Sequence, residues 1–350
     1  MKQNQEMKPD RSLLSQDASC RKIAETLLCL AQRGDRFGLF GHDRADGDSY
    51  ACTLSLALVL ARLGAEVKAY FSEPIHPPFL DLPGLEFAVV YTGTEADPDD
   101  FDISILLDCA AFSRLQLRRD LAKRALIDRV NTLIVDHHEI GQIDGDLFWI
   151  DSSSPSCAEM MLSLYLEMEA LSQKKLIDEQ VANLLYVGIL TDTNRFSYPA
   201  TKADTLRKAA FLLEKGADKE WNERIFDRVT EEHLKALQVL LPKIERCYQG
   251  RLALLCLSEA EAQAFSDEEI AFYPSFIRSI EGVCLSVVLR QSAQGVRGNV
   301  RAKLGYSARQ LAQAFDGGGH ELASGFRSQL ALKEVYELVK LSAAVQFEEL

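Results

Sequence analysis

The 350-residue chain has no run of eighteen apolar residues, which excludes a membrane-spanning helix on hydropathy grounds. Its opening stretch, MKQNQEMKPDRSLLSQ, lacks the apolar core of a secretory signal and reads as a loosely attached lead-in. None of the eight cysteines (20, 29, 52, 109, 157, 247, 256 and 284) forms a Cys-x-x-Cys pair, and most lie inside apolar segments. That pattern argues for buried, reduced thiols and a cytoplasmic protein. Surplus positive charge is missing as well. With 39 Lys and Arg against 52 Asp and Glu, the net charge of −13 argues against coating long duplex DNA. A small anionic substrate held by local positive charge or by metal stays compatible. Residues 290 to 309 carry Arg290, Arg297, Arg301, Lys303 and Arg309 and no acid. No internal repeat or low-complexity segment stands out.

What remains is ordinary globular composition, 47% hydrophobic and 26% charged, at a length that suggests two domains. From about residue 36 to 215, short apolar runs alternate with helical patterns. RFGLFGH, AEVKAYFS, EFAVVYT, DISILLDCA and TLIVDHH read as strands, and GDSYACTLSLALVLARLG as a helix closed by Gly64. Because ISILLD and TLIV are apolar on both faces, the expectation is an α/β domain with a parallel sheet and helices on both sides. Further helices are expected near 155–170, 176–192 and 202–215. The domain is placed at 19–215, after a flexible segment over 1–18 and before a helical linker over 216–249. A smaller α/β domain with a mixed or antiparallel sheet is expected over 250–350, with helices near 306–315 and 332–347. Its strands GRLALLCL, GVCLSVVLR and GVRGNVRAK look antiparallel.

Functional groups of a parallel α/β sheet collect at the carboxyl ends of its strands. The first strand ends in GHDRADGD, with His42, Asp46 and Asp48; ISILL ends on Asp108; TLIV ends on Asp136, His137 and His138; and YVGILTDTNRF presents Asp192. Taken singly, each has a bland reading. Asp108 suits a turn, Asp192 a helix cap, His42 a hydrogen-bonded core, and DRADGD a surface turn. The conjunction decides, because so many carboxylates and imidazoles packed together are costly to desolvate without a cation. Carboxylate and imidazole without thiolate suit Mn²⁺, Mg²⁺ or Co²⁺ better than structural zinc. The count suggests two ions: His42 and Asp46 on one, Asp48, His137 and Asp192 on the other, and Asp108 as bridge. Such a pair clamps an in-line displacement at phosphorus with a bridging hydroxide as nucleophile. Asp136 then orients a neighbouring imidazole, and His138 assists the leaving oxygen as general acid or phosphate donor.

A second motif lies at 296 to 326, VRGNVRAKLGYSARQLAQAFDGGGHELASGF. Gly317, Gly318 and Gly319 before His320 let the backbone approach an anion, and Arg301 on the preceding strand is placed to fork onto a phosphate. By itself such a stretch is also a flexible loop with a surface histidine.

Together HDRADGD, LLDCA, VDHH, GILTDTNRF and GGGHELASGF, spanning about residues 36 to 330, resemble the DHH phosphoesterase superfamily. The resemblance is to the branch with the DHH-associated C-terminal domain. The compact form is similar to the bacterial nanoRNase and phosphoadenosine phosphatase group, which includes phosphodiesterases of linear and cyclic dinucleotides. The resemblance implies metal ligands at His42, Asp46, Asp48, Asp108, His137 and Asp192, with Asp136 and His138 beside them. It implies substrate binding by Arg301 and His320, an active site in the cleft between the domains, manganese as the usual cofactor, and a homodimer. Ala45 stands where the family commonly has Pro, Ala51-Cys52 where Gly-Ser is usual, and Asn194 where Gly is frequent. Asn299 and Ala302 replace common serines, and Ser324 a common Ala. These departures touch base recognition and substrate preference, and none removes a ligand.

The expected activity is hydrolysis of linear dinucleotides such as pApA, nanoRNA and 3′-phosphoadenosine 5′-phosphate, with cyclic di-AMP less favoured for want of a terminal phosphate. Inorganic pyrophosphatase or exopolyphosphatase is the alternative, against which the GGGH motif speaks. A RecJ-type exonuclease is disfavoured by chain length, and a non-catalytic nucleotide sensor by retention of all six ligands.

Overall fold

The structure is a computed structural model that describes residues 15, 17–90, 101–111, 115, 131–138, 143–225 and 231–348. It divides into two compact units, Met1–Asp227 and Arg228–Leu350. Most of the lead-in expected over 1–18 lies outside the described residues, as does the end of the EFAVVYT strand. Among the described residues, no helix is long and apolar enough to cross a membrane.

In the first unit, β1 (Arg36–Phe40), β2 (Glu66–Phe71), β3 (Ala88–Val90), β4 (Ile103–Leu107), β5 (Asn131–Asp136) and β6 (Leu147–Ile150) form one sheet in the order β3-β2-β1-β4-β5-β6. Every pairing is parallel. The side-chain period of two explains the apolar runs. Phe37, Leu39, Ile103, Ile105, Leu107, Leu133 and Val135 enter the main core, while Phe40, Leu106 and Ile134 enter a smaller cluster on the opposite face.

Helices α1 (Ala18–Arg33), α2 (Gly47–Leu63), α3 (Cys157–Ser172) and α4 (Glu179–Asp192) supply the rest of the main core, and α5 (Ala203–Glu214) and α6 (Lys219–Glu223) follow. Nothing in the sequence reading assigns α1. It nevertheless carries ordinary signals: Asp17 accepts from Ser19 N–H at 2.7 Å, and Gly34 closes the helix at φ 82°. The order reverses between β1 and β4, where loops part to opposite sides and leave a crevice at the strand ends.

The second unit begins with α7 (Glu231–Leu240) and builds a mixed sheet in the order β11-β12-β10-β9-β8-β7. Its strands are β7 (Glu245–Cys247), β8 (Leu252–Leu257), β9 (Leu285–Ser292), β10 (Gly295–Ala302), β11 (Gly318–His320) and β12 (Ala323–Ser328). One expected direction is corrected: β8 and β9 are parallel. The cause is the segment between them, which holds α8 (Glu259–Gln263) and α9 (Asp267–Ser279) and so returns the chain by a helical crossover. One sheet face packs on α10 (Ala308–Gln313) and α11 (Leu332–Glu348) through Leu311, Val335 and Val339. On the other, Ala253, Leu255 and Val288 meet Ile270, Tyr273 and Ile277 of α9.

Candidate active site

The crevice at the β1/β4 reversal is where the titratable side chains gather. His42 follows β1, Asp46 caps α2, and Asp48 sits in the first turn of that helix. Asp108 follows β4, Asp136, His137 and His138 end β5, and Asp192 ends α4. Two groups have ligand atoms within 4.8 Å of one another, His42/Asp46/Asp108 and Asp48/His137/Asp192; a third joins Asp108, His137 and His138. Asp108 is central. Its Oδ2 lies 3.3 Å from His42 Nε2, and its Oδ1 lies 3.4 Å from both His137 Nε2 and His138 Nδ1. The residue takes φ 57°, a left-handed conformation that non-glycine residues adopt seldom and mostly at functional turns.

Backbone carbonyls aim the two ligand-type imidazoles. His42 Nδ1 lies 2.7 Å from Asp43 O and His137 Nδ1 3.2 Å from Ser154 O. A carbonyl only accepts, so each Nδ1 carries a proton and each Nε2 faces the cluster, able to ligate once its ring is neutral. His138 is held differently: Asp136 Oδ1 accepts its backbone N–H at 3.0 Å and its Nδ1–H at 2.8 Å.

Asp48 is fully buried. Its carboxylate accepts from Cys157 N–H at 2.7 Å and Ala158 N–H at 2.9 Å, the first amides of α3, whose positive dipole end favours an anion. Two glycines admit this arrangement. A Cβ at Gly47 would fall 2.3 Å from Thr191 Cγ2, and one at Gly188 would fall 2.7 Å from Asp48 Oδ1. The sequence reading gave no role to Gly47, Gly188, the α3 amides or Ser154. Their signal is tertiary, and Gly188 inside an apolar helix was the one local hint.

Burial and neighbouring charges shift the cluster's titrating groups. Burial opposes a charge on His42, yet Asp108 and Asp46 push its pKa up to about 12. His137 is driven upward against the same burial by Asp108 and Asp192. Burial raises the Asp48 carboxyl, with Asp192 and Asp108 adding to the shift. Asp108 is held below the usual carboxylate range because His137 and His42 outweigh its burial. The surrounding carboxylates thus favour positive charge in the cluster. Asp108 Oδ1 and His137 Nε2 are also buried without a hydrogen-bond partner. Orphaned donor atoms of this kind fit a divalent ion, with hard oxygen and imidazole ligands around it.

In the second unit, register places Arg301 opposite Ala323 and Ala323 opposite His320, so Arg301 and His320 share a sheet face across one small residue. Of the glycines expected as a loop, Gly318 and Gly319 instead lie in an edge strand, β11, with Gly317 just before it. A Cβ on Gly317 would fall 2.5 Å from Gly325 O, and one on Gly319 would fall 2.7 Å from Ala323 O. Packing therefore dictates those two. Gly318 would meet nothing within 4 Å, so its missing side chain leaves room on the exposed side.

A parallel sheet with order 3-2-1-4-5-6 carries at its reversal a carboxylate–imidazole cluster that could hold a metal ion, and comparison with known proteins gives the family. The DHH family N-terminal domain matches residues 36–189. A Streptococcus mutans protein described as a probable bifunctional oligoribonuclease and PAP phosphatase NrnA is 32% identical over 241 residues, 67% of this chain and 74% of its own. The Bacillus subtilis bifunctional oligoribonuclease and PAP phosphatase NrnA is 26% identical over 301 residues, covering 83% and 88% of the two chains. An exopolyphosphatase-related protein of Bacteroides fragilis shares the fold, with TM-score 0.83, 21% identity, and 94% and 97% of the chains covered. The chain belongs to the DHH phosphoesterase family, in its NrnA group, and is a hydrolase of phosphoric ester bonds.

Proposed function

We propose that this enzyme is a manganese-dependent phosphoesterase of short nucleotides: linear dinucleotides such as pApA, nanoRNA and 3′-phosphoadenosine 5′-phosphate. The observation that carries the reading is the pair of ligand groups sharing Asp108, with orphaned buried donors at Asp108 and His137. His42 and Asp46 would hold one ion, Asp48, His137 and Asp192 the second, and Asp108 would join both. Bound there, two divalent ions supply Lewis-acid polarisation of a phosphoryl oxygen and make hydroxide available at neutral pH.

The chain's own groups do the rest. Carbonyls at Asp43 and Ser154 keep the ligand imidazoles in one tautomer. Asp136 orients His138, which gives a proton or hydrogen bond to the leaving oxygen. Arg301, His320 and the β11 amides grip an end phosphate, which favours very short chains over long ones. The names of the S. mutans and B. subtilis relatives support this substrate class. Cyclic di-AMP, without an end phosphate, is the less favoured substrate.

The test is metal analysis with a Mn²⁺-dependent turnover panel of pApA, a five-nucleotide RNA, 3′-phosphoadenosine 5′-phosphate, cyclic di-AMP and pyrophosphate. Turnover of the linear nucleotides supports the reading. Turnover of pyrophosphate alone refutes it.

A further inference from the structure

The loop that joins β1 to α2, residues 41 to 46, carries His42 and Asp46, two members of one ligand group. Both of its ends are fixed. A Cβ at Gly41 would fall 2.2 Å from Ser49 Oγ, so the loop starts hard against α2. At the other end, Asp46 Oδ1 accepts from Asp48 N–H and Ser49 N–H, each at 3.1 Å.

Between those ends the backbone is under strain. Arg44 takes φ 54°, a left-handed conformation that a non-glycine residue keeps only where its surroundings hold it there. The Asp43 carbonyl belongs to the peptide bond between Asp43 and Arg44, so this conformation decides where the carbonyl points. It faces His42 Nδ1, 2.7 Å away. Among the described residues, one hydrogen bond fastens Asp43 from outside the loop: Ser72 Oγ donates to Asp43 Oδ1 at 2.9 Å.

Ser72 is well placed to act as an anchor. It comes directly after β2, the parallel neighbour of β1, so the bond ties two adjacent strand ends together. The chain on either side of it is seated on α2. Tyr50 of that helix is buried, with its ring 5.1 Å from those of both Phe71 and Phe79. Its hydroxyl accepts from His76 N–H at 3.4 Å.

We propose that Ser72 is a positioning residue for the ligand group His42/Asp46/Asp108. By holding the Asp43 side chain it sets the carbonyl that aims His42, whose Nε2 lies 3.3 Å from Asp108 Oδ2. This role rests on the two-ion reading above. It makes one ion depend on Ser72 more than the other, because the second group is aimed from elsewhere, His137 by Ser154 O and Asp48 by the α3 amides.

Calorimetric titration with Mn²⁺ of Ser72→Ala, Asp43→Ala, their double variant and Asp43→Asn tests it. Ser72→Ala should weaken one of the two ions by about 10–100-fold, the usual effect of losing a group that orients a metal ligand, and leave the other near wild type. The double variant should be no worse than Asp43→Ala, since Ser72 acts through Asp43. Asp43→Asn keeps an oxygen for Ser72 and should stay close to wild type. Wild-type affinity in Ser72→Ala, equal weakening of both ions, or additive losses in the double variant overturns the role. So does a loss in Asp43→Asn as large as in Asp43→Ala, because charge and not the bond would then matter.

If the wild-type protein binds no Mn²⁺, the two-ion reading fails on its own, and NMR of the metal-free protein decides the role of Ser72. The His42 Nδ1–H, assigned by its absence in His42→Gln, should exchange slowly in the wild type and be lost to solvent exchange in Ser72→Ala. A signal missing from the wild type, or equally protected in Ser72→Ala, overturns the role.

Discussion

Gly188→Ala separates the geometry of the catalytic cluster from the stability of the fold. The new methyl would stand 2.5 Å from Ala158 Cβ, 2.7 Å from Asp48 Oδ1 and 3.0 Å from Ala51 Cβ. Carbon atoms prefer ~3.5–4.0 Å, so the overlap with Ala158 is about 1 Å. Neither alanine has a rotamer to give way, and α4 must shift against α2 and α3. Overpacking of this size costs about 1–3 kcal/mol. Replacing Gly by Ala within a helix returns about 1 kcal/mol, leaving a net loss of about 0–2 kcal/mol. The Asp48 carboxylate fares worse. It is pinned between the α3 amides at 2.7 and 2.9 Å and cannot retreat without breaking one of these bonds. Misplacing a group that orients metal ligands typically costs about 10–100-fold in metal affinity or activity. Urea unfolding should therefore show a folded, slightly weakened protein, while Mn²⁺ titration and pApA turnover show losses beyond the stability change. Wild-type metal affinity and turnover in this variant would refute the argument that Gly188 makes room for Asp48.

The raised imidazoles predict proton release on metal binding. With the His42 pKa up at about 12 and His137 raised as well, both rings hold protons at pH 7 in the metal-free protein. Ligation needs neutral Nε2, so filling the cluster should expel about two protons, and affinity should climb as pH rises. Calorimetric heats for Mn²⁺ that do not depend on the buffer's ionisation enthalpy would contradict this. Asp108→Ala removes the carboxylate common to both ligand groups, so metal stoichiometry should drop and turnover fall by at least about 10²–10³-fold. Full turnover at saturating Mn²⁺ would sink the two-ion arrangement. Arg301→Ala should act chiefly on KM, raising it by about ten- to a hundredfold for loss of a charged phosphate contact. An unchanged KM for pApA removes Arg301 from the binding site.

Much of this site was legible because its chemistry is local. A β-strand delivers its last residues to one sheet edge, so Asp108 after ISILL and Asp136-His137-His138 after TLIV could be placed without knowing the strand order. Double-sided apolar runs marked the sheet as parallel and buried for the same reason. Tertiary effects were not legible. The direction of β8 depends on where its crossover helix packs, and the edge-strand role of Gly318–His320 depends on β12 being beside it. The row Arg290–Arg297–Arg327, set side by side across β9, β10 and β12, shows the difference most plainly. In the sequence Arg290 and Arg297 read as part of one basic stretch, and Arg327 as one more surface charge. Only the two-residue turn at Ala293–Gln294, which pairs Ser292 with Gly295, sets Arg290 opposite Arg297. Shifting that register by one residue would send the arginines of one strand to the opposite face and break the row. Residue type at strand ends is therefore legible in the sequence, whereas cross-strand neighbours are set by register, and the second can change without disturbing the first.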